Sequence, residues 1–277
     1  MFRYRVLSVF LLAPPTIALL FLGGGWFWSL AAVAMVVANI EYAPIVRQGS
    51  HVNTALAAGF GLSALLAARY QAIEWLWPLA TAFVLAELTW ALIRFERGSQ
   101  TAVADWAFTL AGGLYLGVTG AHFILLREMT VPPRLEVGLG LTLLALLGSW
   151  AVDVSSYMIG RLWGRHKLAP LLSPNKSWEG YIAGLLGGML FGAAWPALSA
   201  ALRLASLPGM TAWHSLAVCT LIAILTPLGD LGASMLKRWG KVKNSSSLIP
   251  GHGGILDRLD TLLWAAVIVY YYIQWAI

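Results

Sequence analysis

Three stretches of this chain combine carboxylates, amines and glycine turns at spacings that suit phosphate and cation chemistry. The most C-terminal runs from Ser247 to Asp260 and reads SLIPGHGGILDRLD. Pro-Gly-His-Gly-Gly cannot continue a helix, and its glycines permit positive-φ turns with exposed backbone N–H groups. A turn of this kind feeding a helix can hold phosphate at the helix N-terminus. Gly253 and His252 are therefore candidate substrate contacts, with His252 read as a hydrogen-bond donor rather than a zinc ligand. Asp257 and Asp260 lie three residues apart, on one face of the first turns of the following helix, with Arg258 between them. Two acids at a helix start can simply complement its dipole, an effect under about 1 kcal/mol each. Beside a glycine loop, and opposite a further acid at Asp230, an ion-binding role is the stronger reading.

That further acid belongs to Thr226–Asn244, TPLGDLGASMLKRWGKVKN. Pro227 and Gly229 are expected to break the helix beside Asp230, a residue otherwise costly inside a membrane. Asp230, Ser234, Lys237 or Arg238, and Lys241 then recur at helical spacing; the plainer alternative is an Asp–Lys pairing plus snorkelling cations. The third stretch, Asp153 to Gly180, reads DVSSYMIGRLWGRHKLAPLLSPNKSWEG. Asp153, Ser156, Tyr157, Gly160, Arg161 and Gly164 share one helical face. A loop follows, presenting Arg165, His166 and Lys167, then Ser173, Asn175, Lys176 and Ser177, where Ser177 serves equally well as a helix N-cap. Carboxylate oxygens without thiolates or clustered histidines suit a hard cation such as Mg²⁺, with Asp230, Asp257 and Asp260 as its ligands.

The elements that must position these groups are membrane helices. The chain has 277 residues, 59% hydrophobic and 11% charged, with 14 Trp, whereas soluble domains carry about a quarter charged residues. Apolar segments near 6–22, 26–42, 52–70, 74–93, 103–125, 135–158, 179–199, 212–236 and 257–276 each approach the length needed to cross about 30 Å of hydrocarbon. The expectation is an all-α, polytopic protein with about nine spans, an N-terminal transmembrane part (1–130) continuous with a catalytic part (131–277). The first segment reads as a span kinked at Pro14-Pro15 rather than a cleaved leader. With the N-terminus cytoplasmic, 14 of the 18 Lys and Arg residues fall on the inner face and four on the outer, a strong positive-inside bias. Cys219 is the only cysteine, which excludes an intramolecular disulfide and any cysteine-rich metal site. The net charge of +6 is scattered through membrane-flanking loops, favouring anionic headgroups and phosphorylated substrates over nucleic acid. Glu87 is a possible functional acid within a span, or a paired packing residue, and is left unassigned, as are His51, His122 and His214.

The segment Ser234-Met-Leu-Lys-Arg, then Lys243-Asn244, then Leu248-Ile-Pro-Gly-His-Gly-Gly-Ile-Leu-Asp-Arg-Leu-Asp260 resembles the signature of phosphatidate cytidylyltransferases, the CDP-diacylglycerol synthases. The D-x-x-x-Y-x-x-G-R-x-x-G and S-P-N-K-S-W-E-G patterns upstream, and Gly229-Asp230, are similar to the same family. The resemblance is dense from about residue 150 to the end. It implies that CTP and phosphatidic acid give CDP-diacylglycerol and pyrophosphate in a membrane, with Mg²⁺ at Asp230, Asp257 and Asp260 and a monovalent cation such as K⁺ nearby. On that reading Asp230, Asp257, Asp260 and Lys237 form the catalytic set. Lys176, Lys237 and Arg238 take the CTP phosphates, and Arg161 with Lys167 takes the lipid phosphate. Asp153, Tyr157, Ser173, Asn175, Lys243, His252, Gly253 and Arg258 complete the substrate contacts. One departure stands out, because the family usually has Lys-Asp where this chain has Lys243-Asn244. The resemblance is compatible with a homodimer and with a bacterial inner membrane whose cytoplasmic face carries the site. Alternatives are a CTP-dependent lipid-alcohol kinase, a catalytically weak paralogue and an ion-coupled transporter.

Overall fold

The computed structural model describes residues 14–46, 51–131, 135–249 and 253–277. The chain is almost wholly helical. Without water in hydrocarbon, each backbone N–H and C=O must find its partner inside its own segment. After a helical stretch at 14–22 come α1 (Gly24–Val46), α2 (Thr54–Arg69), α3 (Leu76–Glu96, entered through a 3-10 turn at Ile73–Trp75) and α4 (Ala102–Arg127). These are followed by α5 (Gly138–Trp163), α6 (Trp178–Ala201), α7 (Ala212–Trp239) and α8 (Leu256–Ala276). Six helices among the described residues are long and apolar enough to cross a membrane: α1, α3 with its 3-10 turn, and α4 to α7. The 16 residues of α2 reach only about 24 Å at the usual rise per residue. Large apolar side chains such as Val33, Leu85, Leu92 and Leu190 stand exposed along the helices, as expected where lipid is the solvent. This is an integral membrane protein.

Two compact units are present, and α7 and α8 contribute to both. The first comprises the described residues up to Leu125 with Leu236–Leu259. Its core includes Ala57, Phe60 and Phe83, the two rings stacked at 4.7 Å and 9°. Two polar ties stitch its helices: the Tyr42 hydroxyl donates to the Phe108 carbonyl at 3.1 Å, and Arg94 pairs with buried Asp105 at 3.0 Å.

The second unit comprises Leu126–Met235 with Asp260–Ile277. Here α5 and α6 pack closely because α6 buries Gly180, Gly184, Gly188 and Gly192 at four-residue intervals. A Cβ on Gly188 would stand 2.9 Å from the Ala223 methyl and 3.0 Å from Val152 Cγ2, so the stripe of small residues sets the approach of the backbones. The segment expected as a loop between α5 and α6 is instead a small antiparallel hairpin. Its strands β3 (Lys167–Ala169) and β4 (Ser173–Ser177) pair Lys167 with Ser177 and Ala169 with Ser173. A second, shorter hairpin joins β1 (Thr130–Val131) to β2 (Leu135–Glu136) ahead of α5.

Candidate active site

In the first unit, the last turn of α7 and the first turn of α8 flank the polar tract 241–249. Lys237 donates to Asp257 Oδ1 at 2.7 Å, with side chains only 15% and 9% exposed. The other carboxylate oxygen, Oδ2, accepts the Ser245 N–H at 2.8 Å, the Ser245 hydroxyl at 2.9 Å and the Gly254 N–H at 3.1 Å. Gly253 has φ +80°, a conformation that favours glycine, and a Cβ there would collide with Asp257 Oδ2. The Ile249 N–H donates to the Gly253 carbonyl at 2.9 Å, which closes the glycine turn at its base. His252 lies outside the described residues. Arg238, Lys243 and Arg258 are exposed, as is Asn244.

In the second unit, Lys176 donates to Asp230 Oδ2 at 2.8 Å, the side chains 24% and 37% exposed. The break expected beside Asp230 does not occur, because α7 continues through Pro227 to Trp239. Proline withholds one backbone donor, and nearby side chains can satisfy the carbonyls it leaves. The carbonyl that loses its helical donor to Pro227 is that of Ala223. The nearby Ile224 and Pro227 carbonyls accept from outside the helix, from the Tyr181 hydroxyl at 3.3 Å and Lys176 at 3.4 Å. Gly229 makes room for the last helix: a Cβ there would strike the Asp260 carbonyl and the Trp264 ring. Asp260 is buried and its Oδ1 accepts the Thr261 N–H at 2.8 Å, while the Thr261 hydroxyl reaches Asp153 Oδ2 at 3.5 Å. Thr261 thus links Asp153 with Asp260, and Asp230 follows Gly229, whose backbone lies close to the Asp260 carbonyl.

The helical stripe expected on α5 splits by side-chain size. Gly160 and Ser156 face Gly180 and Gly184 of α6, whereas Asp153, Tyr157 and Arg161 are exposed. Arg161 donates to the Tyr157 hydroxyl at 2.9 Å. Ser177 caps α6, accepting the Gly180 N–H at 3.2 Å. On the hairpin Lys167 and Asn175 are exposed and Ser173 half-buried. Glu179 fixes the chain entering that hairpin through the Arg165 and His166 N–H groups and His166 Nδ1, the last at 2.6 Å.

Among the described residues no group of three or more Asp, Glu, His or Cys side chains stands ready to cage a metal. The donor chemistry nonetheless suits Mg²⁺, which commonly takes one or two carboxylates and fills its other positions with water and phosphate oxygens. Asp230 already faces a cation, the Lys176 ammonium. Two acids that sequence reasoning passed over are built into the arrangement: Glu179, and Glu41 in α1, which is buried and bonded to the Ser245–Leu256 segment. For Glu41 the available signal was an acid within an apolar helix.

A family model described as "Cytidylyltransferase family" matches residues 3–276. The phosphatidate cytidylyltransferase of Synechocystis sp. is 31% identical, over 97% of this chain and 95% of its own. That of Haemophilus influenzae is 31% identical over 98% of each chain. The enzyme of the same name from Mycobacterium bovis is 29% identical over 86% of this chain and 77% of its own.

Proposed function

From the premise that the chain belongs to the cytidylyltransferase family, we propose that it is a phosphatidate cytidylyltransferase, transferring CMP from CTP to phosphatidic acid. The carrying observation is the similarity to enzymes of that name along nearly the whole of both chains. The lysine–carboxylate pairs support it, since they place exchangeable cations beside acids in an otherwise apolar protein.

The reaction joins two polyanions. An oxygen of the lipid phosphate attacks the α-phosphorus of CTP; the new P–O bond forms as the bond to the β-phosphate oxygen breaks, and pyrophosphate departs. The monoester phosphate is already largely ionised near neutral pH, so no strong general base is required. The protein's main work is to hold both anions and balance the charge that moves onto the leaving group. Without substrate, Lys176 neutralises Asp230 and Lys237 neutralises Asp257. A phosphate gives an ammonium a more highly charged partner than a carboxylate does, and Lys176, Lys237 and Arg238 are the cations proposed to turn to the phosphates of CTP. Arg161, with Tyr157 as its hydrogen-bond acceptor, and Lys167 serve the lipid phosphate. Mg²⁺, held by Asp230 and Asp260, would supply positive charge to the phosphates and the departing pyrophosphate. Asp257 is the third acid of the expected ligand set, and K⁺ the expected second cation. A bacterial inner membrane with the polar loops on the cytoplasmic side suits both substrates, because CTP is soluble and phosphatidic acid keeps its phosphate at the interface.

The test is purified protein with labelled CTP and phosphatidic acid, with and without Mg²⁺. Lipid-linked CMP and pyrophosphate in equal amounts are expected. CDP instead of pyrophosphate would make it a CTP-dependent lipid kinase, and no nucleotide-bearing lipid under any metal condition would end the proposal.

A further inference from the structure

Within the first unit, a carboxylate from the N-terminal helices holds the polar tract that precedes α8. Glu41, in the last turns of α1, is 5% exposed. Its Oε1 accepts the Ser246 hydroxyl at 2.6 Å and the Ile255 N–H at 3.1 Å. Its Oε2 accepts the Ser245 hydroxyl at 3.0 Å and the Leu256 N–H at 2.8 Å. The first amides of a helix have no partner within it, so Glu41 caps α8 from a distant part of the chain and sets a negative group at its positive end.

The same turn serves Asp257. The Ser245 hydroxyl oxygen stands 3.0 Å from Glu41 Oε2 and 2.9 Å from Asp257 Oδ2, so the two carboxylates share its one proton. Gly254 sends its N–H to Asp257, and a side chain on Gly254 would run into Glu41. A movement of the Glu41 carboxylate is therefore passed to Ser245 and the first turn of α8, and through them to the Asp257–Lys237 pair. A serine or asparagine placed locally would cap the helix without burying a carboxylate. The use of a glutamate that also grips both serines points to alignment of the tract rather than to capping alone.

We propose that Glu41 is a positioning residue of the cytidylyl transfer, fixing the Ser245–Ser246 tract and the start of α8 so that Asp257 and Lys237 keep their working geometry. This rests on the transferase reading above. The test compares full-length wild type and Glu41→Gln in lipid nanodiscs, following pyrophosphate release against CTP and phosphatidic acid, with the folded fraction measured on each sample. Gln keeps the size but turns one acceptor oxygen into a donor facing other donors. The expected result is a kcat per folded molecule lowered by about 10- to 100-fold, with both KM values within about twofold, as for groups displaced by a fraction of an ångström. A folded variant with kcat within about twofold of wild type would overturn the proposal, as would a loss that tracks the folded fraction alone. Should Glu41→Gln fail to fold, Ser246→Ala decides, since it removes only the 2.6 Å bond; a drop in kcat of at least about threefold per folded molecule supports the role and none refutes it. An inactive wild type would bring down both readings, whereas an active wild type with an unaffected variant brings down only the role of Glu41.

Discussion

Replacing Lys237 by Met removes an ammonium 2.7 Å from Asp257 while keeping most of the side-chain volume. The magnitude follows from burial. An exposed ion pair contributes about 0–1 kcal/mol, and breaking a fully buried one by deleting a partner costs about 3–5 kcal/mol. This pair, 15% and 9% exposed, lies nearer the buried limit. Asp257 keeps the Ser245 N–H, the Ser245 hydroxyl and the Gly254 N–H, so its charge is not abandoned. A loss of about 2–3 kcal/mol is expected, close to that of a charged hydrogen bond. At about 2–4 °C per kcal/mol for a chain of this size, the thermal midpoint should fall by about 4–12 °C. The assay is unfolding of wild type, Lys237→Met, Asp257→Asn and the double variant, so that the cycle isolates the pair from the general effect of each substitution. A coupling energy of about 1.5–3 kcal/mol is expected. If the single effects add within about 0.5 kcal/mol, the two groups do not stabilise one another and the reasoning fails.

Three further outcomes follow from the geometry. Gly253→Ala places a Cβ at φ +80° and against Asp257 Oδ2; it should lower stability by about 1–3 kcal/mol and reduce turnover, and a variant with wild-type midpoint and kcat would show that the turn relaxes freely. Gly188→Leu forces a branched chain where even a Cβ comes within 2.9 Å of Ala223; overpacking should cost at least about 1–3 kcal/mol in thermal or denaturant unfolding, and an unchanged midpoint would contradict close packing of the stripe. Asn244→Asp adds a carboxylate to an exposed position beside the Ser245–Asp257 cluster; the Mg²⁺ titration of activity should move to lower concentration, by about 2- to 10-fold for a charge near but not on the metal, and superimposable titrations would remove this position from metal binding.

The helices were legible because their signal is local and strong. Apolar segments at 103–125, 135–158 and 212–236 correspond to α4 at Ala102–Arg127, α5 at Gly138–Trp163 and α7 at Ala212–Trp239. What escaped was decided by partners distant in sequence. Pro227 reads as a helix breaker, yet α7 continues through it, with Tyr181 and Lys176 from another segment donating to the Ile224 and Pro227 carbonyls. Ser173–Ser177 carries no β-pattern and is a strand only because it folds back on Lys167–Ala169. Asp257 and Lys237 were visible as residue types, but their pairing at 2.7 Å was not. Glu41 lay more than 200 residues from every group it holds, and no spacing rule spans that gap.

Four acids among the described residues differ in what neutralises them. Glu41 is met by two backbone N–H groups and two serine hydroxyls, and Glu179 by two backbone N–H groups and an imidazole. Those donors are fixed by the fold, so a carboxylate leaving them would strand amides without partners. Asp230 is met instead by Lys176 and Asp257 in part by Lys237, long flexible chains whose ammonium groups can rotate to another anion. An arriving phosphate competes for such a lysine far more readily than for a backbone amide in a helix turn. On the proposed reaction, a lysine-paired acid is expected to change its surroundings and an amide-held acid to keep the frame still. By that criterion we expect chemistry at Asp230 and alignment at Glu41 and Glu179, while Asp257, held by Lys237 and also by the Ser245 and Gly254 amides, shares in both kinds.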